Sequence, residues 1–120
     1  MKSLVVEDEQ PIRKLIDLNL RLENHEVITA ADGLEALQQA SGGQPDLVIL
    51  DIMLPGLDGL SLIKRLKADN SDTDVIVITG YGSIENAVEC MKAGAIDYII
   101  KPFTVDQIQV AVRKALDHRE

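Results

Sequence analysis

The sequence predicts a doubly wound α/β domain in which five parallel strands alternate with five helices. Short apolar runs rich in valine and isoleucine alternate with longer stretches that have helical periodicity. Parallel strands covered on both faces have this continuous apolar character, whereas half-exposed strands alternate with polar residues. Repeated along 120 residues, the two kinds of segment indicate a (βα)5 pattern with helices on both faces of one sheet.

Five apolar runs mark the strands. The second of them, Val27-Ile28, is short and flanked by polar residues, which is typical of an edge strand. The strands are expected at residues 4–6, 27–28, 47–50, 75–78 and 96–100.

Start and stop signals mark the helices between these runs. Pro11 suits a first helical position, and Asp32 with Glu35 has the spacing of a capping box, as does Thr104 with Gln107. Gly94 stands where a glycine would end the fourth helix. The first helix is expected to carry an apolar stripe of Ile12, Leu15, Ile16 and Leu22. Apolar residues mark the other helices, namely Leu34 and Leu37, then Leu62, Ile63 and Leu66, then Ile84, Ala87, Val88 and Met91, and finally Ile108, Ala111, Val112 and Ala115.

Composition excludes several classes of function. The net charge of −8 argues against direct binding of nucleic acid, which needs a basic surface. No apolar run approaches the roughly 20 residues that cross a bilayer, and the N-terminus shows no signal peptide. The single cysteine, Cys90, excludes an internal disulfide. We therefore expect a cytoplasmic protein that does not bind membranes, with His25 and His118 exposed to solvent.

Polar residues of an unusual kind stand at the ends of four predicted strands. Glu7 and Asp8 follow the first, Asp51 follows the third, Thr79 closes the fourth and Lys101 follows the fifth. In an open α/β sheet, ligands bind beyond these carboxyl ends. Three adjacent carboxylates repel one another and call for a cation, and an all-oxygen ligand set favours Mg²⁺. A carboxylate can also act as a nucleophile towards phosphorus, with charge on the phosphoryl group neutralised by the metal and Lys101.

Taken in order, these motifs resemble the receiver domain of two-component response regulators. The resemblance covers essentially the whole chain, 1–120, and rests on residues 5–9, 46–59, 79–80 and 97–103. It implies a flavodoxin-like sheet with strand order 2-1-3-4-5 and a cis bond before Pro102.

The same resemblance implies a role for each residue of the cluster. Asp51 would accept a phosphoryl group from a histidine kinase, Glu7 and Asp8 would hold Mg²⁺ together with Asp51 and the backbone carbonyl of Met53, and Thr79 and Lys101 would contact the phosphoryl oxygens. Thr79 and Tyr98 would form the switch. The fourth helix, fifth strand and fifth helix would then change their common surface, which would mediate dimerisation or contact with an output domain.

Residues 80–88 look like the receivers of nitrogen-regulation-type transcription activators. We expect the chain to be either a receiver excised from such a protein or a single-domain regulator. Met53 and Tyr81 stand two residues after Asp51 and Thr79. Neither side chain is suited to orienting an attacking water. We therefore expect these two positions to restrict water access and to make the phosphorylated state long-lived.

Three other functions are compatible with a strand-end carboxylate or with this topology. A phosphatase of the haloacid-dehalogenase type needs an acid two residues after its nucleophile, and this chain has Met53 there. A nucleotide- or flavin-binding module needs a phosphate-cradling loop after the first strand, where Glu7, Asp8 and Glu9 would repel phosphate. A degenerate receiver would lack part of the set Asp8, Asp51, Thr79 and Lys101, which is intact here.

Overall fold

The computed structural model describes residues 1–54, 58–80 and 84–118, with the side chains of Ile84 and His118 excepted. Strands and helices alternate throughout these ranges. The elements are β1 (Lys2–Val6), α1 (Gln10–Leu22), β2 (Glu26–Ala30), α2 (Gly33–Gly43), β3 (Leu47–Asp51), α3 (Gly59–Asp69), β4 (Asp74–Thr79), α4 (Ile84–Ala93), β5 (Asp97–Ile100) and α5 (Val105–His118).

The strands form one parallel sheet in the order β2-β1-β3-β4-β5. The predicted fold class and strand order are therefore confirmed, and β2 is an edge strand as expected. The parallel register brings the carboxyl ends of β1, β3, β4 and β5 to one edge of the sheet. Among the described residues, no helix is both long enough and apolar enough to span a bilayer.

Two apolar clusters cover the two faces of the sheet. One contains Leu50 and Val77 of the strands and is closed by α2, α3 and α4, with Cys90 of α4 fully buried in it. The other contains Ile49 and Ile78 and is closed by α1 and α5. This two-sided burial explains why the strands have continuous apolar sequences.

The predicted helix signals have clear structural counterparts. The Thr104 hydroxyl accepts a hydrogen bond from the Gln107 N–H at 3.2 Å, and the Gln107 side chain accepts one from the Thr104 N–H at 2.8 Å. Asp32 accepts from the Glu35 N–H at 2.8 Å. Gly94, with φ 119°, ends α4 in a Schellman motif, because its N–H bonds to the Met91 carbonyl and the next N–H bonds to the Cys90 carbonyl.

Several expectations for the helices are wrong in detail. α1 begins at Gln10, so Pro11 is its second residue. The buried residues of α1 are Ile16 and Leu20, while Leu15 and Leu22 are exposed. On α4, Val88 and Met91, which mark this helix in the sequence, are exposed. Leu34, at the start of α2, is also exposed.

His25 is buried, which contradicts the expectation of a solvated side chain. Only 8% of this residue is exposed, and it lines a narrow groove between α1 and α5 together with Leu20 and Val112. Burial lowers the pKa of its imidazole below the ordinary value. The side chain of His118 lies outside the described residues.

Candidate phosphoacceptor and metal site

The sheet brings the predicted strand-end residues together. Asp51 is the last residue of β3 and Thr79 the last of β4, and both are buried. Glu7 follows β1 and is also buried, whereas Asp8 beside it is exposed. Lys101 follows β5, and its backbone N–H donates to the Thr79 carbonyl at 2.7 Å. The residues that follow the predicted strands therefore lie together at one edge of the sheet.

Three carboxylates form the acidic part of the site. Glu7, Asp8 and Asp51 can each offer one oxygen, and these oxygens all lie within 4.8 Å of one another. Such a ligand set fits a hard divalent cation, which binds carboxylate oxygens and water. Soft metals are disfavoured, since the set contains neither sulfur nor imidazole.

Lys101 supplies the positive charge of the cluster. Its ammonium forms ion pairs with Glu7, with Asp51 Oδ2 at 2.9 Å and with Glu9 Oε2 at 3.2 Å. Burial works against the charged form of Lys101. The carboxylates of Glu7, Asp51 and Glu9 outweigh this effect and raise the pKa of the lysine above its ordinary value. The ammonium is therefore always present at neutral pH. The Lys101–Pro102 peptide is cis, as the resemblance implies.

The Glu7 carboxyl has a raised pKa. Burial and a hydrogen bond with Asp51 raise its pKa to about 8, against the opposing effect of Lys101. Burial therefore favours the protonated form of Glu7 when no metal is bound, and a cation that binds through this carboxylate has to displace its proton.

Both oxygens of Asp51 are oriented by neighbouring groups. Oδ2 accepts from Lys101, and Oδ1 accepts from the backbone N–H of Met53 at 2.9 Å. Met53 itself is 57% exposed. Tyr81, the other predicted water-access residue, lies outside the described residues.

Thr79 and Tyr98 lie on the same face of the sheet. Val77 pairs with Tyr98 in the β4–β5 register, and Thr79 is two residues beyond Val77. Because side chains alternate along a strand, Thr79, Val77 and Tyr98 all point towards the cluster closed by α2, α3 and α4. The two predicted switch residues are thus diagonal neighbours.

Two residues of the site were missed by sequence reasoning. Glu9 pairs with Lys101, and Arg13 donates from Nη1 to the Glu7 carbonyl at 2.8 Å. The position of Glu9 directly after the acidic pair was a usable signal. Arg13 carried no such signal, because its reach back to the loop depends on the orientation of α1.

The family comparison agrees with this geometry. A family model described as "Response regulator receiver domain" matches residues 3–113. The chain belongs to this family. As a receiver domain it is a signalling module that serves as a phosphorylation switch, not a conventional enzyme.

Individual relatives of this receiver have different lengths. It is 38% identical to Sporulation initiation phosphotransferase F of Bacillus subtilis over 96% of this chain and 93% of the relative. It is 36% identical to Regulatory protein AtoC of Escherichia coli over 96% of this chain, but that match spans only 25% of AtoC.

Among solved structures, the receiver domain of NtrX from Brucella abortus is 42% identical, with a TM-score of 0.89, over 96% of this chain and 98% of that one. This similarity is consistent with the predicted likeness to nitrogen-regulation-type receivers. Family membership also favours the receiver interpretation over the phosphatase and flavin-module alternatives.

Proposed function

We propose that this domain accepts a phosphoryl group on Asp51 from a phosphohistidine of a histidine kinase. An Asp51 oxygen would form the new bond to phosphorus as the bond between phosphorus and the imidazole nitrogen breaks. The observation that carries the proposal is the position of Asp51, buried at the end of the central strand β3 and 2.9 Å from the Lys101 ammonium.

The same proposal assigns Mg²⁺ to the acidic cluster. Glu7, Asp8 and Asp51 would supply carboxylate oxygens, and Met53 would supply its backbone carbonyl. When bound, Mg²⁺ would neutralise charge on the phosphoryl oxygens. The oxygen-only ligand set and the mutual proximity of the three carboxylates support this assignment.

Lys101 and Thr79 would hold the phosphoryl group after transfer. Lys101 already contacts Asp51 Oδ2, so a small movement would bring its ammonium onto a phosphoryl oxygen. Thr79 ends the neighbouring strand and would donate its hydroxyl. Charge-assisted hydrogen bonds of this kind are stronger than neutral ones.

The switch would link this site to the surface of α4, β5 and α5. Movement of Thr79 towards the phosphoryl group would make room for Tyr98 to turn inward on the face that the two residues share. The α4-β5-α5 surface carries exposed apolar side chains, namely Val88, Met91, Ile100 and Val110. Such a surface suits a homodimer or an output domain, with transcription regulation as the pathway, and phosphorylation would shift a pre-existing equilibrium. We place this action in the cytoplasm, without direct contact to nucleic acid or membrane.

The phosphorylated state would be long-lived, because Met53 and Tyr81 would restrict the in-line approach of water. The exposure of Met53, whose backbone N–H bonds to Asp51, supports the part of this proposal that concerns Met53. Replacing both residues with groups that orient water, Met53→Asn and Tyr81→Glu, would then speed hydrolysis by about tenfold, or roughly 1.4 kcal/mol of barrier.

Intact-mass measurement with acetyl phosphate and Mg²⁺ tests the central proposal. We expect the wild type to gain one phosphoryl mass and Asp51→Asn to gain none. Asp17→Asn is a matched control, since it removes a carboxylate from an ion pair on α1 outside the cluster, and it should be phosphorylated normally. Phosphorylation of Asp51→Asn at the wild-type rate would contradict the assignment.

A further inference from the structure

A side chain in the first turn of α1 holds the peptide that joins the two acidic residues. Arg13 donates from Nη1 to the Glu7 carbonyl at 2.8 Å, and this carbonyl belongs to the Glu7–Asp8 peptide. The N–H of Glu7 is bonded to the Ala30 carbonyl at 3.0 Å. Glu7 is therefore anchored to the sheet through its N–H and to α1 through its carbonyl.

Arg13 also bonds to the residue that follows Asp8. Its backbone N–H donates to the Glu9 carbonyl at 3.0 Å, which is the first hydrogen bond of α1. Asp8 thus lies between two carbonyls that are both bonded by Arg13. Its own side chain is exposed, so packing contributes little to its orientation, which depends on the anchored backbone and on its hydrogen bond with the Glu7 carboxyl.

We propose that Arg13 is a positioning residue for the acidic pair, holding the Glu7–Asp8 peptide so that the Asp8 carboxylate faces Asp51. This inference rests on the proposed Mg²⁺ site and adds a residue outside the ligand set. Groups that orient metal ligands are often worth 10–100-fold in metal affinity. Without the guanidinium, the Glu7 carbonyl would bond to water and the loop would sample other orientations of Asp8.

Electrostatics and positioning predict opposite results when Arg13 is replaced by an uncharged residue. Removing a positive charge near an acidic cluster makes the local potential more negative, which on Coulombic grounds strengthens the binding of a divalent cation. Loss of positioning weakens it. The sign of the change in Mg²⁺ affinity therefore separates the two effects.

The chain offers a matched control on the same helix. Arg21 donates from Nη2 to the Val27 carbonyl at 3.0 Å, so it also bonds a backbone carbonyl six residues away. It lies near the opposite end of α1 and pairs with Asp17. Arg21→Met changes the net charge as Arg13→Met does, and it too breaks a bond between helix and backbone, but it leaves the acidic loop intact.

Calorimetric titration of the metal-free protein with Mg²⁺ tests the inference. We expect the dissociation constant to rise about tenfold in Arg13→Met, to stay within twofold of wild type in Arg21→Met, and to be intermediate in Arg13→Lys, which keeps the charge but not the planar fork. Without metal, the backbone amides of Asp8 and Glu9 should exchange with solvent faster in Arg13→Met than in Arg21→Met.

Three results would overturn the inference. The first is unchanged or tighter Mg²⁺ binding in Arg13→Met, and the second is equal weakening in Arg21→Met. Either result would leave the proposed function intact, provided that Asp51 of the wild type is still phosphorylated. The third, a wild type that binds no Mg²⁺, would remove the proposed metal site together with the role of Arg13.

Discussion

The Lys101 ammonium lies 2.9 Å from Asp51 Oδ2, although fifty residues separate the two in sequence. Both side chains are largely buried, and the same ammonium is shared with Glu7 and Glu9. In a partly dehydrated site such a charge interacts more strongly with its neighbours than it would on the surface. The proposed acceptor carboxylate therefore has a fixed cation beside it.

Lys101→Met should slow phosphorylation of Asp51 by acetyl phosphate by about 100-fold, because the charge that develops on the phosphoryl oxygens loses a preorganised partner. Intact-mass time courses at saturating Mg²⁺ measure the rate. Lys64→Met, on the exposed side of α3, is the control and should react like the wild type. A Lys101→Met rate within threefold of wild type would contradict the role of the ammonium.

The stabilising contribution of Glu7 to the metal-free domain should be lost as pH rises from about 5 to 8.5. The folded pKa of Glu7, about 8, lies above its ordinary value of 4.5, so the folded state binds the proton more tightly. The resulting stabilisation is complete below the unfolded pKa and is lost as pH rises through the folded one. In Glu7→Gln, the unfolding free energy should change less over this pH range than in the wild type, by an amount on the order of a few kcal/mol. Urea unfolding in a chelator measures this, and parallel pH profiles for the two proteins would refute it.

Much of this site follows from sequence because strand ends are easy to recognise. Apolar runs locate the strands, parallel pairing brings their carboxyl ends together, and Asp51 and Thr79 fall at those ends. Capping boxes are equally readable, since they depend on residues only three positions apart.

Features that depend on tertiary packing were not predictable. His25 looks like a loop residue and is buried only because α1 and α5 meet around it. Val88 and Met91 have the spacing of a buried stripe, but α4 packs on the sheet through Cys90 instead. A helix with apolar residues on two sides does not specify which side faces inward.

Two buried hydroxyls should respond differently to removal. The Thr73 hydroxyl donates to the Pro45 carbonyl at 2.9 Å, whereas the Ser3 hydroxyl in β1 has no hydrogen-bond partner in the described part of the chain. Thr73→Val should cost about 1–2 kcal/mol of unfolding free energy, and Ser3→Ala should be neutral or stabilising by up to about 1 kcal/mol. Denaturant unfolding compares them. A larger loss for Ser3→Ala than for Thr73→Val would reverse the expected order.

Gly59 allows α3 to start against the end of β3. A Cβ at this position would lie 2.6 Å from Ile52 Cβ and 2.7 Å from its Cα. Gly59→Ala should therefore displace the segment next to Asp51 and destabilise the domain by about 1–3 kcal/mol. Gly42→Ala is the control, because a Cβ there meets nothing within 4 Å in α2, and it should stabilise the helix by about 0.5 kcal/mol. Equal effects of the two substitutions on thermal unfolding would show that the contact with Ile52 is easily relieved.

The hydrogen bond from the Lys101 N–H to the Thr79 carbonyl has a mechanical consequence. This hydrogen bond, 2.7 Å long, follows the final β4–β5 residue pair, Thr79 with Ile100. It joins the backbone that carries the Thr79 hydroxyl to the backbone that carries the Lys101 ammonium. Because this hydrogen bond links the two strand ends, we expect a displacement of one backbone to shift the other, and with it the side chain that would contact the phosphoryl group.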